Sequence, residues 1–190
     1  MKSLVKLFVM VLTLMVATTS STFASRLSVE AERDGVRSMV TMKLKRFEQE
    51  FTKSSRLLDN CYGYCIMGGS ETTLALIGIG RGRGIAVNNV TGEQVFMRMK
   101  NINLSFGGGS EEFAWVFILK DKAAWDKFLS GDMKYSTECV AALSDGKHLG
   151  AWEGTSFGGN GIKLYQMTTK GWALAGKVRA VSVYKDRKLN

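Results

Sequence analysis

A single histidine, His148, stands in the 190 residues of this chain. That scarcity argues against a histidine metal site and against a Ser-His or Cys-His catalytic pair, because each needs an imidazole as ligand or base. His148 itself lies in the polar stretch Asp145-Gly146-Lys147, where a solvated ring is expected. Cysteine is sparse too: Cys61 and Cys65 stand four apart, Cys139 is alone, and no histidine sits at ligand spacing. Three cysteines so placed make no zinc motif. Proline is absent, where average usage would supply about nine. No phosphate-binding loop is present, and the glycine run fails as a dinucleotide fingerprint. Counted from Gly78, the sixth position is Arg83, and no amphipathic helix follows. Adjacent carboxylates such as Glu111-Glu112 point apart in an extended chain, so they make no acid–base pair. These absences predict a non-enzymatic protein without metal or cofactor.

What is present is ordinary globular material, 45% hydrophobic and 23% charged, which excludes disorder, collagen and long coiled coil. Residues 1–24 read as a cleaved export signal. Lys2 and Lys6 precede the apolar run Leu7–Val16, and Thr22-Phe23-Ala24 places small residues at the cleavage positions before Ser25. The run is about half the roughly twenty residues a membrane span needs. Periplasmic or secreted location follows from that reading. In an oxidising compartment a disulfide among the three cysteines competes with burial of each as a small apolar side chain.

Of 21 glycines, 20 lie after Asn60, dividing a glycine-poor head from a glycine-rich body. In the head, residues 25–60, Val36, Met39, Val40, Leu44, Phe47, Phe51 and Leu58 recur at three- and four-residue steps and predict an amphipathic helix over 33–58. Its second half is basic, with Lys43, Lys45, Arg46, Lys53 and Arg56, and core packing against a sheet is the expected use of its apolar stripe. From Thr72 the period becomes two. Gly78, Gly80, Gly82 and Gly84 alternate with Ile77, Ile79, Arg81, Arg83 and Ile85, which predicts glycine-rich strands with a bend, one face bare and the other carrying aliphatics around two arginines.

Asn88–Gly92 reads as a turn, 94–106 as a strand, and Phe113–Leu119 as a strand buried on both faces. Asp121 is the expected N-cap of a short helix ending at Gly131. Extended segments are predicted near 134–143, 162–167 and 172–184, with a glycine-rich loop over 144–161. The fold class is therefore α+β: a long N-terminal helix and a short internal helix on a mostly antiparallel, glycine-rich twisted sheet, forming one domain whose body spans 61–190.

With two lysines of the signal removed from 26 cations, against 17 anions, the mature chain carries +7. Residues 163–190 hold seven cations against Asp186 alone, a balance of +6. Arg81/Arg83, Arg98/Lys100 and Lys177/Arg179 are each two apart, so each pair projects from one strand face. A solvated sheet face and a patch for anions both fit. For an exported chain the anion of choice is a lipid headgroup, and nucleic acid is not expected.

Several segments resemble the SYLF domain family. They are the glycine strand Gly78–Gly84, the stretch Asn103-Leu104-Ser105-Phe106-Gly107-Gly108-Gly109, the helix segment Lys120–Gly131 followed by Ala141-Ala142, and the ending Ile162–Thr168, Lys170–Leu174 and Tyr184–Asn190. The resemblance spans roughly 45–190. Where the family has Phe-Pro after its N-terminal helix, this chain has Cys65-Ile66-Met67. The resemblance implies a lipid-binding domain acting at phosphoinositide-type headgroups. Together these readings predict an exported, non-enzymatic module that attaches to anionic phospholipid through Arg81, Arg83, Arg98, Lys100, Lys177 and Arg179. The alternative is an envelope structural or interaction protein that self-associates as a homo-oligomer.

Overall fold

Helix α1 spans Lys2–Glu50 and crosses one face of an eight-stranded sheet. The computed structural model describes residues 2–51, 54–104, 108–131, 134–137, 153–157, 161–168 and 178–190. Its other elements are α2 (Ser54–Asp59), β1 (Gly63–Leu74), β2 (Ile77–Asn88), β3 (Gln94–Leu104), β4 (Gly109–Leu119), α3 (Lys122–Ser130), β5 (Lys134–Thr137), β6 (Glu153–Phe157), β7 (Ile162–Thr168) and β8 (Val178–Lys185). The strands run in the order β5-β8-β3-β2-β1-β4-β7-β6, and every pairing is antiparallel. This is the α+β architecture the periodicities predict. Among the described residues no helix is long and apolar enough to cross a membrane.

The sheet curls. Helix α3 touches both β4 and β8, which stand four places apart in the strand order. At about 4.8 Å per strand they would be about 19 Å apart in a flat sheet, too far for one helix of about 10–12 Å diameter. Curling gives an inner core of Met67, Met97, Met99, Trp115, Phe117, Trp125, Phe128 and Val183. The outer core lies under α1 and α2 and contains Val36, Val40, Phe47, Leu58, Ile66, Ile85, Val116 and Tyr165. Strand β4 supplies both: Phe113, Trp115, Phe117 and Leu119 face inward, while Ala114, Val116 and Ile118 face α1. Its continuous apolar run is thus explained by burial on two faces. The Asp121 carboxylate caps α3 by accepting from the Ala124 amide at 2.9 Å, and Gly131 ends it in the left-handed region.

Four expectations need correction. The 33–58 helix is two helices, because the apolar stripe must turn. Phe47 and Phe51 stack with ring centroids 5.5 Å apart against Tyr165 of β7. Helix α2 then directs Leu58 into the same core, where the Asn89 side chain donates to the Leu58 and Cys61 carbonyls. Strand β1 starts at Gly63, nine residues before the alternation becomes visible at Thr72. Cys65 to Gly68 are all buried, so no polar residue marks the period. The glycine stretch is one strand, paired to β1 and β3 without interruption; its reversal is the two-residue turn Ala75-Leu76. Finally, part of the predicted 144–161 loop is strand β6, paired to β7 as a sheet edge. Residues 144–152 and 158–160 of that loop, with 138–143 and 172–177, lie outside the described residues.

Cys61 and Cys65 are free and buried, each in a different core. Burial pushes the Cys61 thiol up to about 11 and raises that of Cys65 as well, so neither is poised as a thiolate. Cys139 and His148 lie outside the described residues.

Candidate functional site

Alternation along β2 and β3 puts the paired cations on the outer face, and the register brings the pairs together. Arg81 stands opposite Lys100, and Arg83 opposite Arg98. The block continues onto β8, where Ser182 faces Lys100, Tyr184 faces Arg98, and the Lys100 ammonium lies 6.0 Å from the Tyr184 ring centre. On β1 it meets Ser70 and Gly68. A Cβ at Gly68 would stand 2.5 Å from the Met39 sulfur, so this glycine is where α1 seats on the sheet. The helix therefore walls one side of the cation block.

The four cations are not equivalent. Arg83 pairs with Glu32 of α1 at 3.3 Å, and Glu32 also accepts from Lys188. The Lys188 hydrogen bond, with the charges of Lys188 and Arg83, holds the Glu32 carboxyl below its ordinary value. Arg98 pairs with Asp186 at 2.6 Å, and that carboxylate is only 2% exposed. Burial alone would raise the Asp186 carboxyl; hydrogen bonds from Arg98 and the Lys188 amide, with the charges of Arg98 and Arg83, outweigh it and lower the value. Asn190 locks the tail to β3, donating to the Phe96 carbonyl and accepting from the Phe96 amide. Arg81 and Lys100 carry no ion pair among the described residues. The nearest acid on their face by register is Glu112 of β4, one strand beyond Ser70, and it faces Lys43 at 4.0 Å.

The other two predicted site residues do not join this block. Position 179 stands opposite Asn103, on the sheet face that carries Asn103 and not the one that carries Lys100. Lys177 lies outside the described residues. Nor is the basic C-terminal stretch one patch. Lys163 sits on β7, five places from β8, and Lys188 is engaged with Glu32.

Beyond the cations the same outer face turns apolar. Leu74, Ile77, Ile79, Ile102 and Leu104, with Leu76 in the turn, are all between 51% and 75% exposed. Register makes them contiguous, Leu74 against Ile77, Ile77 against Leu104, and Ile79 against Ile102.

Behind this surface lies a polar cluster that pattern reading missed. Glu71 is buried on the inner face and accepts from the side-chain amides of Asn101, at 2.7 Å, and Asn103. A Cβ at Gly78 or Gly80 would collide with the Asn103 or Asn101 carboxamide respectively. At Gly78 and Gly80 the bare face of β2 therefore admits two amides, while Gly82 and Gly84 lie against the backbone of β1. The signal was available: two glycines two apart opposite two asparagines two apart, but only register aligns them. Among the described residues no group of acidic, histidine or cysteine side chains is placed to hold a metal.

The chain is similar to the Beta cell expansion factor A of Aeromonas veronii, 27% identical over 158 residues, or 83% of this chain and 58% of that protein. It thus spans less than two thirds of that relative's length. No family model and no solved structure matches.

Proposed function

We propose that this chain is an exported, SYLF-type lipid-binding module that attaches to anionic phospholipid through the outer face of β2 and β3. The observation that supports this is the register pairing of Arg81 with Lys100, two cations without acid partners among the described residues, between polar residues and exposed aliphatics. Arginine donates in pairs to phosphate oxygens while lysine acts as a point charge, so the two together suit a phosphodiester headgroup. Arg83 and Arg98 shape the edge of the site but spend their charge on Glu32 and Asp186. Six free cations would supply about 6 kcal/mol at an anionic surface; two supply about 2 kcal/mol. Electrostatics alone then gives a Kd of only about tens of millimolar, so it orients the protein and does not hold it.

Sedimentation with vesicles tests the reading. The protein should pellet with phosphatidylglycerol vesicles at low salt and much less with phosphatidylcholine. Arg81→Gln with Lys100→Gln should weaken the anionic binding by about thirtyfold and flatten its salt dependence. Arg83→Gln with Arg98→Gln should have the smaller effect on binding. Equal recovery on both vesicle types would sink the proposal.

A further inference from the structure

The shortfall in electrostatic attraction directs attention to the apolar end of the same face. From Thr72 to Gly80 the chain carries no charge, and this segment forms the β1–β2 hairpin tip. Six aliphatic side chains from the tip and the end of β3 are more than half exposed. The turn residue Ala75 has φ 56°, a left-handed conformation that glycine, asparagine or aspartate adopts more cheaply. The turn is therefore built from Ala75 and Leu76 against local preference, so the turn itself stays apolar and the tip uncharged.

We infer that this tip is a wedge that enters the acyl layer of an anionic bilayer, with Arg81 and Lys100 at the phosphate level; the inference rests on the lipid-binding reading above. Three observations carry it. The first is spacing. Ile79 and Ile102 lie two residues from Arg81 and Lys100, about 7 Å along the strand, and Ile77 and Leu104 lie about 13 Å away. Interfacial apolar faces bury about 5–10 Å deep, and the aliphatic stems of Arg and Lys let their charged ends reach back to the headgroups.

The second is backbone satisfaction. A group entering hydrocarbon must bring its amides already bonded. Here β1 and β2 stay paired to Leu74 and Ile77, β4 flanks β1 as far as Gly109, and β8 flanks β3 as far as Val178 opposite Leu104. Within the hairpin itself, among the described residues, the two-residue turn is what remains with backbone groups to satisfy. The third is charge. A second copy docking tip to tip would bring its own Arg81 and Lys100 towards these, with no charge of either sign between Thr72 and Gly80 to compensate. Anionic headgroups are complementary where another copy is repulsive.

The test places a nitrobenzoxadiazole label at the tip through Leu76→Cys, in a Cys139→Ser background, the two remaining thiols being buried. A matched label at Val90→Cys, in the exposed turn at the far end of β2, serves as the control. With vesicles of equal phosphatidylglycerol and phosphatidylcholine, the tip label should shift to the blue and be quenched by a nitroxide high on the acyl chain. The Val90 label should stay as in water. Separately, Leu74→Ser, Leu76→Ser and Ile77→Ser together should weaken vesicle binding by about tenfold or more, with salt dependence kept and melting unchanged. A water-like tip label on protein that still pellets would overturn the wedge and leave lipid binding standing. No pelleting of the native protein would overturn both. A lipid-free oligomer that the triple variant dissolves would show the tip to be a contact between copies, and would overturn the wedge.

Discussion

Ile85 and Ile79 stand six residues apart on one face of one strand, yet the first is 3% exposed and the second 56%. The difference is α1. At the Ile85 end the helix lies across the sheet and seals it with Val36, Val40 and Phe47; at the Ile79 end nothing described covers it. The cations divide in the same way. Arg83 and Arg98, beside the helix and the C-terminal tail, find acids, whereas Arg81 and Lys100, one step further along, find none among the described residues. An isoleucine or an arginine on a strand is therefore an offer of burial or charge, and its use is set by what crosses above it.

The sharpest way to break this comparison is to empty the covered end. Phe47→Ala removes a ring that is fully buried and should cost about 3–5 kcal/mol of unfolding free energy in urea titration, while Ile79→Ala should change it by less than about 0.5 kcal/mol. Comparable costs would mean that the tip is covered in the folded protein.

Next comes the face behind the tip. Gly80→Ala forces a methyl into the Asn101 carboxamide and disturbs its bond to Glu71, so it should destabilise by up to about 3 kcal/mol, read as a lowered urea midpoint.

A smaller effect distinguishes the paired from the unpaired cations. Asp186→Asn removes a charge-assisted hydrogen bond whose Arg98 partner is 36% exposed and can turn to water, which suggests about 1.5 kcal/mol at neutral pH. The Asp186 proton is bound less readily in the folded chain than in the unfolded one. Its contribution is therefore complete above the ordinary carboxyl range near pH 4 and is lost as pH falls through the lowered folded value. Native and variant stabilities should converge in acid; a gap that persists below that range would show that the carboxylate charge is not what matters.

The smallest expected change lies in the turn. Ala75→Gly relieves the left-handed strain and should raise the melting temperature slightly, by no more than about 1 kcal/mol of stability, since glycine also loosens the unfolded chain.

Much of this architecture is legible in residue order. The stripe from Val36 to Phe51, the alternation from Ile77 to Ile85, the Asp121 cap and the Gly131 stop each announce themselves within one or two turns of chain. The first half of strand β1 does not, because Cys65 to Gly68 are buried on both faces and burial on two sides erases the polar beat. Strand β6 escapes notice because a short edge segment rich in Gly, Ser and Thr reads as loop until β7 pairs with it. The candidate site is legible by halves. That Arg81/Arg83 and Arg98/Lys100 form two same-face pairs follows from strand periodicity, but their merging into one block needs the β2–β3 register.

Residue order by itself determined which side chains share a face and where α3 begins and ends, because those are local consequences of 3.6- and two-residue periods and of capping chemistry. Tertiary structure alone decided which cations keep their charge available and which aliphatics stay bare. Those outcomes depend on partners 51 and 88 residues away, Glu32 for Arg83 and Asp186 for Arg98, and on the path α1 takes over the curled sheet. No local period encodes that path; it is set by where Met39, Phe47 and Phe51 find space against Gly68 and Tyr165.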